Sequence, residues 1–279
     1  MTRFRAPATT ANLGAGFDVA GAALDLWNEL ELSEERSDGD ESHLGVRAFS
    51  VYASPAQWAF EWTCPIPRAR GLGSSAAIVA LGLVAGAWAA RVEPSVEELL
   101  EAGLPLEGHA DNLAPALAGG VCLTWDGHVA RVADDLPALP IAVIPQSRVS
   151  TAESRRTLPD TVAHSDAAFT AARAALLGAA IAGGDARLFA ASHDDRLHEP
   201  YRAATAPLLA ELRADLPDGA LGATLSGSGP TVIVWAKRDI SEELRARFPE
   251  QEVKCLRVAR KARDRRKTSK IDLPLTRPV

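Results

Sequence analysis

A loop rich in glycine and serine runs directly into a long segment of small apolar residues, and this junction constrains the fold more than any other feature. The loop covers residues 67–77, and the apolar segment covers residues 76–90. Because the first N–H groups of a helix have no partner within it, the junction presents free amides and the positive end of the helix dipole. Glycine lets an anion approach the backbone, and serine hydroxyls can bind phosphate or Mg²⁺. The junction therefore predicts a triphosphate site at the start of a helix that packs closely against a sheet or another helix.

The same junction is compatible with simpler roles. A Gly-Ser loop before a helix can act only as an N-cap, and this alternative stays open. The P-loop pattern is absent, since no Gly-Lys-Ser/Thr occurs. Residues 71–76 formally match the dinucleotide-binding pattern, but Pro65 and Pro67 stand where a hydrophobic strand should precede it. The dinucleotide interpretation is therefore weak.

Composition excludes several classes of protein. The chain has 279 residues, 47% of them hydrophobic and 24% charged, which is typical of one large globular domain or two smaller ones. A net charge of −6 argues against general nucleic-acid binding. The cysteines, Cys64, Cys122 and Cys255, are far apart and form no CxxC pair, which favours a reducing compartment without disulfides or zinc. With no signal-peptide pattern and no apolar run long enough to span a bilayer, we expect a cytoplasmic protein that binds no membrane.

Strand and helix patterns mix without a strict βαβ order, which predicts an α+β protein in two parts. Alternation over residues 57–64 predicts a strand whose buried face carries Trp58, Phe60, Trp62 and Cys64.

Signals for helices and turns follow. Ser95 and Glu98 form the pattern of a capping box, and Asp111 is predicted to cap a helix that ends at Ala118. Asp126-Gly127 predicts a hairpin turn.

The segment at residues 136–140, with two prolines, is the best candidate for a linker. Residues 260–270 contain seven basic residues and one acid, which predicts a flexible, solvated tail or, alternatively, a segment that binds acidic partners.

Four separated segments contain the residue types that phosphoryl transfer requires, at residues 7–18, 67–77, 107–112 and 226–230. Each can be an ordinary structural element when taken alone, such as a turn, a helix cap or a surface loop. Their occurrence together in one chain favours a shared site for a phosphorylated ligand.

The same segments resemble the motifs of the GHMP kinase superfamily. Residues 6–21, 71–76 and 225–231 are similar to its three motifs, and residues 107–120 are similar to the stretch that separates homoserine kinases from mevalonate and galactose kinases. The resemblance to the homoserine kinase family covers roughly residues 3–258. It implies an N-terminal domain like the second domain of ribosomal protein S5 and a ferredoxin-like C-terminal domain, with the active site between them.

On this resemblance, we expect an ATP-binding N-terminal domain over residues 1–137, a C-terminal domain over residues 138–259 and the basic tail over residues 260–279. The implied activity is ATP-dependent phosphorylation of the side-chain hydroxyl of L-homoserine, on the route to threonine. The alternatives are a GHMP kinase for another small hydroxy acid, such as pantoate or shikimate, and an inactive relative that senses a ligand. Family members are often dimers, so a homodimer is implied as well.

The resemblance implies which residues hold ATP and Mg²⁺. The residues implied to bind the phosphates or support that loop are Pro67, Arg68, Ala69, Arg70, Gly71, Leu72, Gly73, Ser74, Ser75, Ala76, Ala77, Ser226, Gly227, Ser228 and Gly229. Ser75, with Ser74 as the alternative, and Glu107, with Glu101 as the alternative, are implied to hold Mg²⁺. His43-Leu44 stands where the family usually has Asn-Leu near the adenine pocket.

It also implies a site for the amino acid. Asn12, Asp18 and Asn112 are the implied polar contacts, with Asp18 suited to the ammonium group, and Arg155 and Arg202 are implied to bind the carboxylate through their bidentate forks.

The implied catalytic residues are Asn112, Asp111 and His109. We expect Asn112 to orient the hydroxyl, whereas Asp111 acts near it or holds the loop. For His109 a hydrogen-bonding structural role is favoured over that of a general base.

Overall fold

The computed structural model describes residues 1–35 and 40–259 together with the backbone of Lys270–Asp272. The strands of the described residues are β1 (Thr2–Asn12), β2 (Gly16–Glu34), β3 (Trp58–Thr63), β4 (Val121–Trp125), β5 (His128–Ala133), β6 (Leu139–Ile144), β7 (Ala220–Leu225), β8 (Val232–Ala236), β9 (Glu252–Cys255) and β10 (Lys270–Asp272). The helices are α1 (Leu44–Phe49), α2 (Ser74–Ala89), α3 (Val96–Glu107), α4 (Ala110–Ala118), α5 (Thr151–Arg156), α6 (His164–Gly183), α7 (Ala186–Ala191), α8 (Pro207–Ala214) and α9 (Ser241–Arg247).

The first sheet has the strand order β10-β1-β2-β4-β5, with β3 paired to the outer half of β2. β1 and β2 form a long antiparallel hairpin whose register runs from Thr2 opposite Leu32 to Asn12 opposite Gly16. The helix α2 covers this sheet, and its small residues allow α1 to lie directly against it: a Cβ on Gly82 would stand 2.1 Å from the carbonyl oxygen of Gly45. This contact confirms the prediction that the small apolar segment forms a closely packed helix.

The second sheet has the order β7-β8-β6-β9, all antiparallel, and both of its faces are covered. Ile233 and Trp235 of β8 point into the core shared with the first sheet, whereas Val232 and Val234 join a separate core beneath α8 and α9. Side chains that alternate between two apolar layers explain why this strand reads as a continuous hydrophobic run.

The α+β prediction is thus confirmed. The predicted division between residues 137 and 138 falls just before β6, the first strand of the second sheet, and remains a prediction. After β9 the chain returns to the first sheet, where Val258 bridges to Leu24 and the Ala259 N–H donates to the Ala23 carbonyl at 2.9 Å.

The aromatic face predicted for β3 is confirmed, since Trp58, Phe60 and Trp62 pack against the core. It is half-buried because β3 lies off the main path of the sheet and pairs only with β2 among the described strands. One local prediction was wrong. Asp111 does not cap a helix but lies in the first turn of α4, whose N-cap is His109. The capping box of Ser95 and Glu98 is confirmed at the start of α3, and the hairpin of β4 and β5 turns at residues 126–127.

One helix of the described residues, α6, is long and apolar enough to cross a membrane by length and composition alone. Its inner face places Leu177, Ala180 and Ile181 in the shared core, and it carries Asp166, which pairs with Arg196 at 3.0 Å. These contacts pack one face of α6 against the rest of the chain.

Of the predicted basic tail, the structure describes only the backbone of Lys270–Asp272, which pairs in parallel with Arg3, Phe4 and Arg5 of β1. The rest of the tail, residues 260–269 and 273–279, lies outside the described residues.

Candidate active site

A cleft of about 690 Å³ opens where the loop before α2 meets the start of α4, α5 and the turn between β7 and β8. This volume suits a small-molecule site. The predicted site residues that line it are Asn12, Asp18, Pro67, Arg68, Ala69, Arg70, Gly71, Leu72, Gly73, Ser74, Ser75, Glu107, His109, Asp111, Asn112, Arg155, Arg202, Gly227 and Ser228. The four motifs that are separated in the sequence therefore meet in one cleft.

The loop before α2 places the N-terminus of that helix, without a side-chain cap among the described residues, in this cleft. Gly73 is the N-cap of α2 in a left-handed conformation (φ +61°), and no side chain in the described part of the protein caps the helix. The loop is fastened at both ends, because the Thr9 N–H donates to the Leu72 carbonyl and the Val149 N–H donates to the Ala69 carbonyl, both at 3.1 Å. The first amides of α2 are thus held rigidly and left available to an anion.

The turn after β7 supports the loop from behind. The Ser226 hydroxyl donates to the Gly71 carbonyl at 2.6 Å, and the Gly227 N–H donates to the Ala11 carbonyl at 3.1 Å. Ser226 and Gly229 are buried and do not line the cleft, so their part is to shape it rather than to touch a ligand.

Ala76 and Ala77, predicted with the phosphate loop, are also fully buried within α2. Their side chains pack in the core, and the ligand-facing part of the loop ends at Ser75 among the residues predicted for it.

Ser75 and Glu107 meet across the cleft from α2 and α3, and the Ser75 hydroxyl donates to Glu107 Oε1 at 3.0 Å. Burial raises the pKa of Glu107 to about 7, and the Ser75 hydrogen bond opposes this only in part. A hydroxyl and a carboxylate are oxygen ligands of the kind that Mg²⁺ prefers, and a cation would offset the cost of burying the charged carboxylate. Glu101, the alternative ligand, is exposed and does not line the cleft.

Asn112 is fixed by two neighbours. The Thr9 hydroxyl donates to Asn112 Oδ1 at 2.8 Å, and Asn112 Nδ2 donates to Asp111 Oδ1 at 3.3 Å. Burial raises the pKa of Asp111 to about 6, with the nearby Asp18 carboxylate adding to the effect. The amide of Asn112 therefore lines the cleft in a set orientation.

His109 uses both ring nitrogens. Because a carbonyl only accepts and a guanidinium only donates, Nδ1 donates to the Glu107 carbonyl at 3.1 Å, and Nε2 accepts from Arg155 Nε at 3.1 Å. Burial, together with the positive charge of Arg155, lowers the pKa of His109. The neutral ring thus fixes Arg155 through a hydrogen bond. This contact supports a structural role for His109 rather than that of a general base.

Arg155 and Asp18 form an ion pair at the mouth of the cleft, with 2.6 Å between Arg155 Nη2 and Asp18 Oδ1. The backbone of Asp18 is left-handed (φ +57°), a conformation that aspartate tolerates, and its N–H donates to the Asn12 amide oxygen at 3.1 Å. The residues predicted to bind the two charged ends of an amino acid therefore neutralise each other here. A zwitterion could replace this pair without leaving either charge alone.

Arg202 lies deeper and is only 2% exposed. Its Nη1 donates to the Gly227 carbonyl at 3.1 Å and to His198 Nδ1 at 3.0 Å, and its buried Nε has no hydrogen-bond partner among the described residues. A buried guanidinium that lines a cleft has the chemistry to bind an anion.

Two residues beside the site, Thr9 and His198, were missed in the sequence analysis. Thr9 lies within the first motif, and its hydroxyl reaches a side chain more than 100 positions away. His198 stands four residues before Arg202 and contacts it. This spacing is the signal that could have joined the two, since residues at i and i+4 meet within one helical turn.

Comparison with known proteins identifies the family. The family model for the GHMP kinases N terminal domain matches residues 44–120, and that for the GHMP kinases C terminal matches residues 173–254. The homoserine kinase of Moorella thermoacetica is 40% identical, over 91% of this chain and 95% of its own length. The chain belongs to the homoserine kinase family, a branch of the GHMP kinases. The homoserine kinase of a Synechococcus species is 38% identical, over 87% of this chain and 88% of its own length.

Solved structures agree with this assignment. The crystal structure of homoserine kinase from Cytophaga hutchinsonii has a TM-score of 0.78 at 27% identity and covers 93% of this chain and 96% of its own. The mevalonate kinase of Methanococcus jannaschii, at 14% identity and a TM-score of 0.68, covers 92% of this chain and 98% of its own and shares the fold. The predicted GHMP kinase fold is thereby confirmed.

Proposed function

We propose that this protein is a homoserine kinase, which transfers the γ-phosphoryl group of ATP to the side-chain hydroxyl of L-homoserine. The observation that carries the proposal is the charge pattern of the cleft. A bare helix start lies at one end, and Arg155, Asp18 and Arg202 lie at the other, where an amino acid with both charges would fit. This assignment places the enzyme in threonine biosynthesis, as the resemblance implies.

The nucleotide end of the cleft is assigned to ATP. The triphosphate would accept hydrogen bonds from the first amides of α2 at residues 73–75, and the base would lie toward His43 and Leu44, which line the cleft. The His43 ring contacts Trp62 in a tilted arrangement, with 4.7 Å between ring centroids and 36° between the ring planes, and its Nδ1 accepts from the Gly45 N–H at 3.2 Å.

Ser75 and Glu107 are the residues that would hold Mg²⁺. When bound, the ion neutralises charge on the phosphate oxygens, as in other phosphoryl transfers. The support for this role is the half-buried carboxylate of Glu107, whose pKa is raised by desolvation and by the nearby Asp111 carboxylate.

In the reaction, a bond forms between the homoserine hydroxyl oxygen and the γ-phosphorus while the bond from that phosphorus to the β-phosphate oxygen breaks, releasing ADP. Asn112, held by Thr9 and Asp111, would orient the hydroxyl. Since His109 has no free nitrogen, the hydroxyl proton is assigned to the transferred phosphoryl group itself. Positioning and charge stabilisation then supply most of the rate.

The test is an ADP-release assay with a panel of acceptors: L-homoserine, L-serine, L-threonine, pantoate, shikimate and mevalonate. The proposal predicts a kcat/KM for L-homoserine at least about tenfold above every other acceptor. Pantoate, shikimate and mevalonate lack the ammonium group, and serine and threonine carry the hydroxyl one carbon nearer the charged groups than homoserine does. Equal turnover across the panel, or nucleotide binding without turnover of any acceptor, would contradict it.

We also propose a cytoplasmic homodimer built from the two predicted domains. The free thiols of Cys64, Cys122 and Cys255 suit a reducing compartment, and the dimer is implied by the family alone. Light scattering of the purified chain tests the oligomeric state, with a monomeric mass contradicting the dimer.

A further inference from the structure

His198 lies beneath the substrate end of the cleft and joins two parts of it. The ring is fully buried and stacks on Phe17, with 4.9 Å between the ring centroids. Its Nε2 is 3.1 Å from the carbonyl oxygen of Gly14, in the β1–β2 turn, and its Nδ1 is 3.0 Å from Nη1 of Arg202. One imidazole thus connects the first sequence motif to the buried arginine.

These two contacts fix the tautomer. A carbonyl oxygen only accepts, so Nε2 carries the proton and donates to Gly14; a guanidinium only donates, so Nδ1 is unprotonated and accepts from Arg202. Burial lowers the pKa of His198 to about 4 and outweighs the opposing effect of Asp195, so the ring is neutral at physiological pH. Protonation of Nδ1 would set an N–H against the Arg202 N–H and break the contact.

Asp195 holds the backbone around His198 in place while the His198 ring stays neutral. Its carboxylate accepts from the backbone N–H of His198 at 2.7 Å and from that of Glu199 at 3.0 Å, which fixes the backbone that carries the ring. Its Oδ2 is 3.6 Å from His198 Nε2, beyond hydrogen-bond distance, so that nitrogen remains committed to Gly14.

The contact matters because Arg202 has few other anchors. Besides His198, the Gly227 carbonyl accepts from its Nη1, while the Phe17 ring lies 5.5 Å from its guanidinium carbon. We propose that His198 is a positioning residue for the substrate carboxylate, acting through its neutral Nε2–H tautomer to aim Arg202 into the cleft. This inference rests on the proposed function, since it takes the carboxylate to be that of homoserine.

Two substitutions test the roles of the two ring nitrogens of His198 one at a time. His198→Asn keeps an acceptor oxygen near the position of Nδ1 but loses the donor to Gly14, whereas His198→Gln keeps a donor near Nε2 but loses the acceptor for Arg202. We expect the KM for homoserine to rise about tenfold in His198→Gln, as removal of one charge-assisted hydrogen bond predicts, and to be at least about fivefold lower in His198→Asn than in His198→Gln. The KM for ATP changes by less than about twofold in both variants.

The exposed His128, in β5 and remote from the cleft, provides the control. His128→Gln is expected to leave both KM values at those of the wild-type enzyme. Equal KM values for homoserine in His198→Asn and His198→Gln, or parallel rises in the KM for ATP, would overturn the proposal. A wild-type enzyme that does not turn over homoserine would instead contradict the proposed function.

A measurement on the unsubstituted protein covers the case in which the variants do not fold. The ¹⁵N resonances of the imidazole rings distinguish protonated from unprotonated ring nitrogens, and through-bond correlation of each ring with its own backbone assigns the His198 signals without any variant. We expect a protonated Nε2 and an unprotonated Nδ1 at neutral pH. A protonated Nδ1 would refute the role.

Discussion

The loop at residues 67–77 needs glycine at position 73 for two reasons, and replacement of Gly73 by alanine tests both. The first is the left-handed backbone (φ +61°), which costs alanine about 1–2 kcal/mol. The second is space: a Cβ on Gly73 would stand 1.8 Å from Thr9 Oγ1 and 3.2 Å from Asn112 Oδ1. Ordinary van der Waals contact begins near 3.4 Å, so the methyl group and the Thr9 hydroxyl must separate by about 1.6 Å.

That displacement moves the Thr9 hydroxyl, which holds Asn112 in place. The Thr9 hydroxyl donates to Asn112 Oδ1 at 2.8 Å, so moving it releases the amide that we assign to the substrate hydroxyl. A misplacement of about 1 Å in a positioning group can cost about 100-fold in rate. We therefore expect Gly73→Ala to lower kcat for homoserine about 100-fold and the free energy of unfolding by about 2–3 kcal/mol, from strain plus one hydrogen bond.

Gly184 provides a matched control. It has nearly the same backbone angle (φ +65°), it ends α6 far along the chain from the loop, and a Cβ there would meet no atom within 4 Å. Gly184→Ala should lose about 1–2 kcal/mol of stability and keep its kcat. The assay is coupled ADP release at saturating substrates, with urea unfolding for stability. If Gly73→Ala folds and keeps a kcat within about threefold of Gly184→Ala, the reasoning is refuted.

Three further predictions concern other parts of the molecule. Arg202→Ala should raise the KM for homoserine about 10- to 100-fold by removing a charged hydrogen-bond donor and leave the KM for ATP unchanged. Replacement of the exposed Arg196 by alanine is the control. An equal rise in both KM values of Arg202→Ala would contradict the assignment. Glu107→Gln should lower kcat at least about tenfold through loss of a charged metal ligand, whereas Glu101→Gln should not, and the reverse result in steady-state assays would reassign the ligand. Burial lowers the pKa of His193 to about 3 from 6.5, so the unfolded state takes up the proton first and stability falls as pH drops below about 6.5. We expect the free energy of unfolding, measured with urea between pH 6.5 and 4, to depend on pH less steeply in His193→Leu than in the wild-type protein, by about 1.4 kcal/mol per pH unit. An unchanged pH dependence would show that His193 is protonated in the folded state.

The sequence predicted well where the local pattern determines the local structure. The glycines and serines of residues 71–75 identify the start of α2, and the capping box at Ser95 identifies the start of α3. Both follow from backbone preferences that act within a few residues.

It predicted poorly where the outcome depends on distant neighbours. The half-burial of β3 follows from its place beside β2 alone, which no alternation pattern reveals. The Asp18–Arg155 ion pair and the Thr9–Asn112 hydrogen bond join residues more than 100 positions apart. Resemblance to a family supplied the candidates at the substrate end, but only the fold shows which of them touch.

The central claim is that one cleft holds nucleotide phosphates on the start of α2 and an amino-acid zwitterion on two arginines. A crystal structure of the protein with L-homoserine and a non-hydrolysable ATP analogue tests it most directly. We expect the triphosphate within hydrogen-bond distance of the amides at residues 73–75, the homoserine carboxylate on Arg155 and Arg202, and its hydroxyl between Asn112 and the γ-phosphate. Homoserine bound with its carboxylate away from both arginines, or a triphosphate that does not contact the start of α2, would contradict the account.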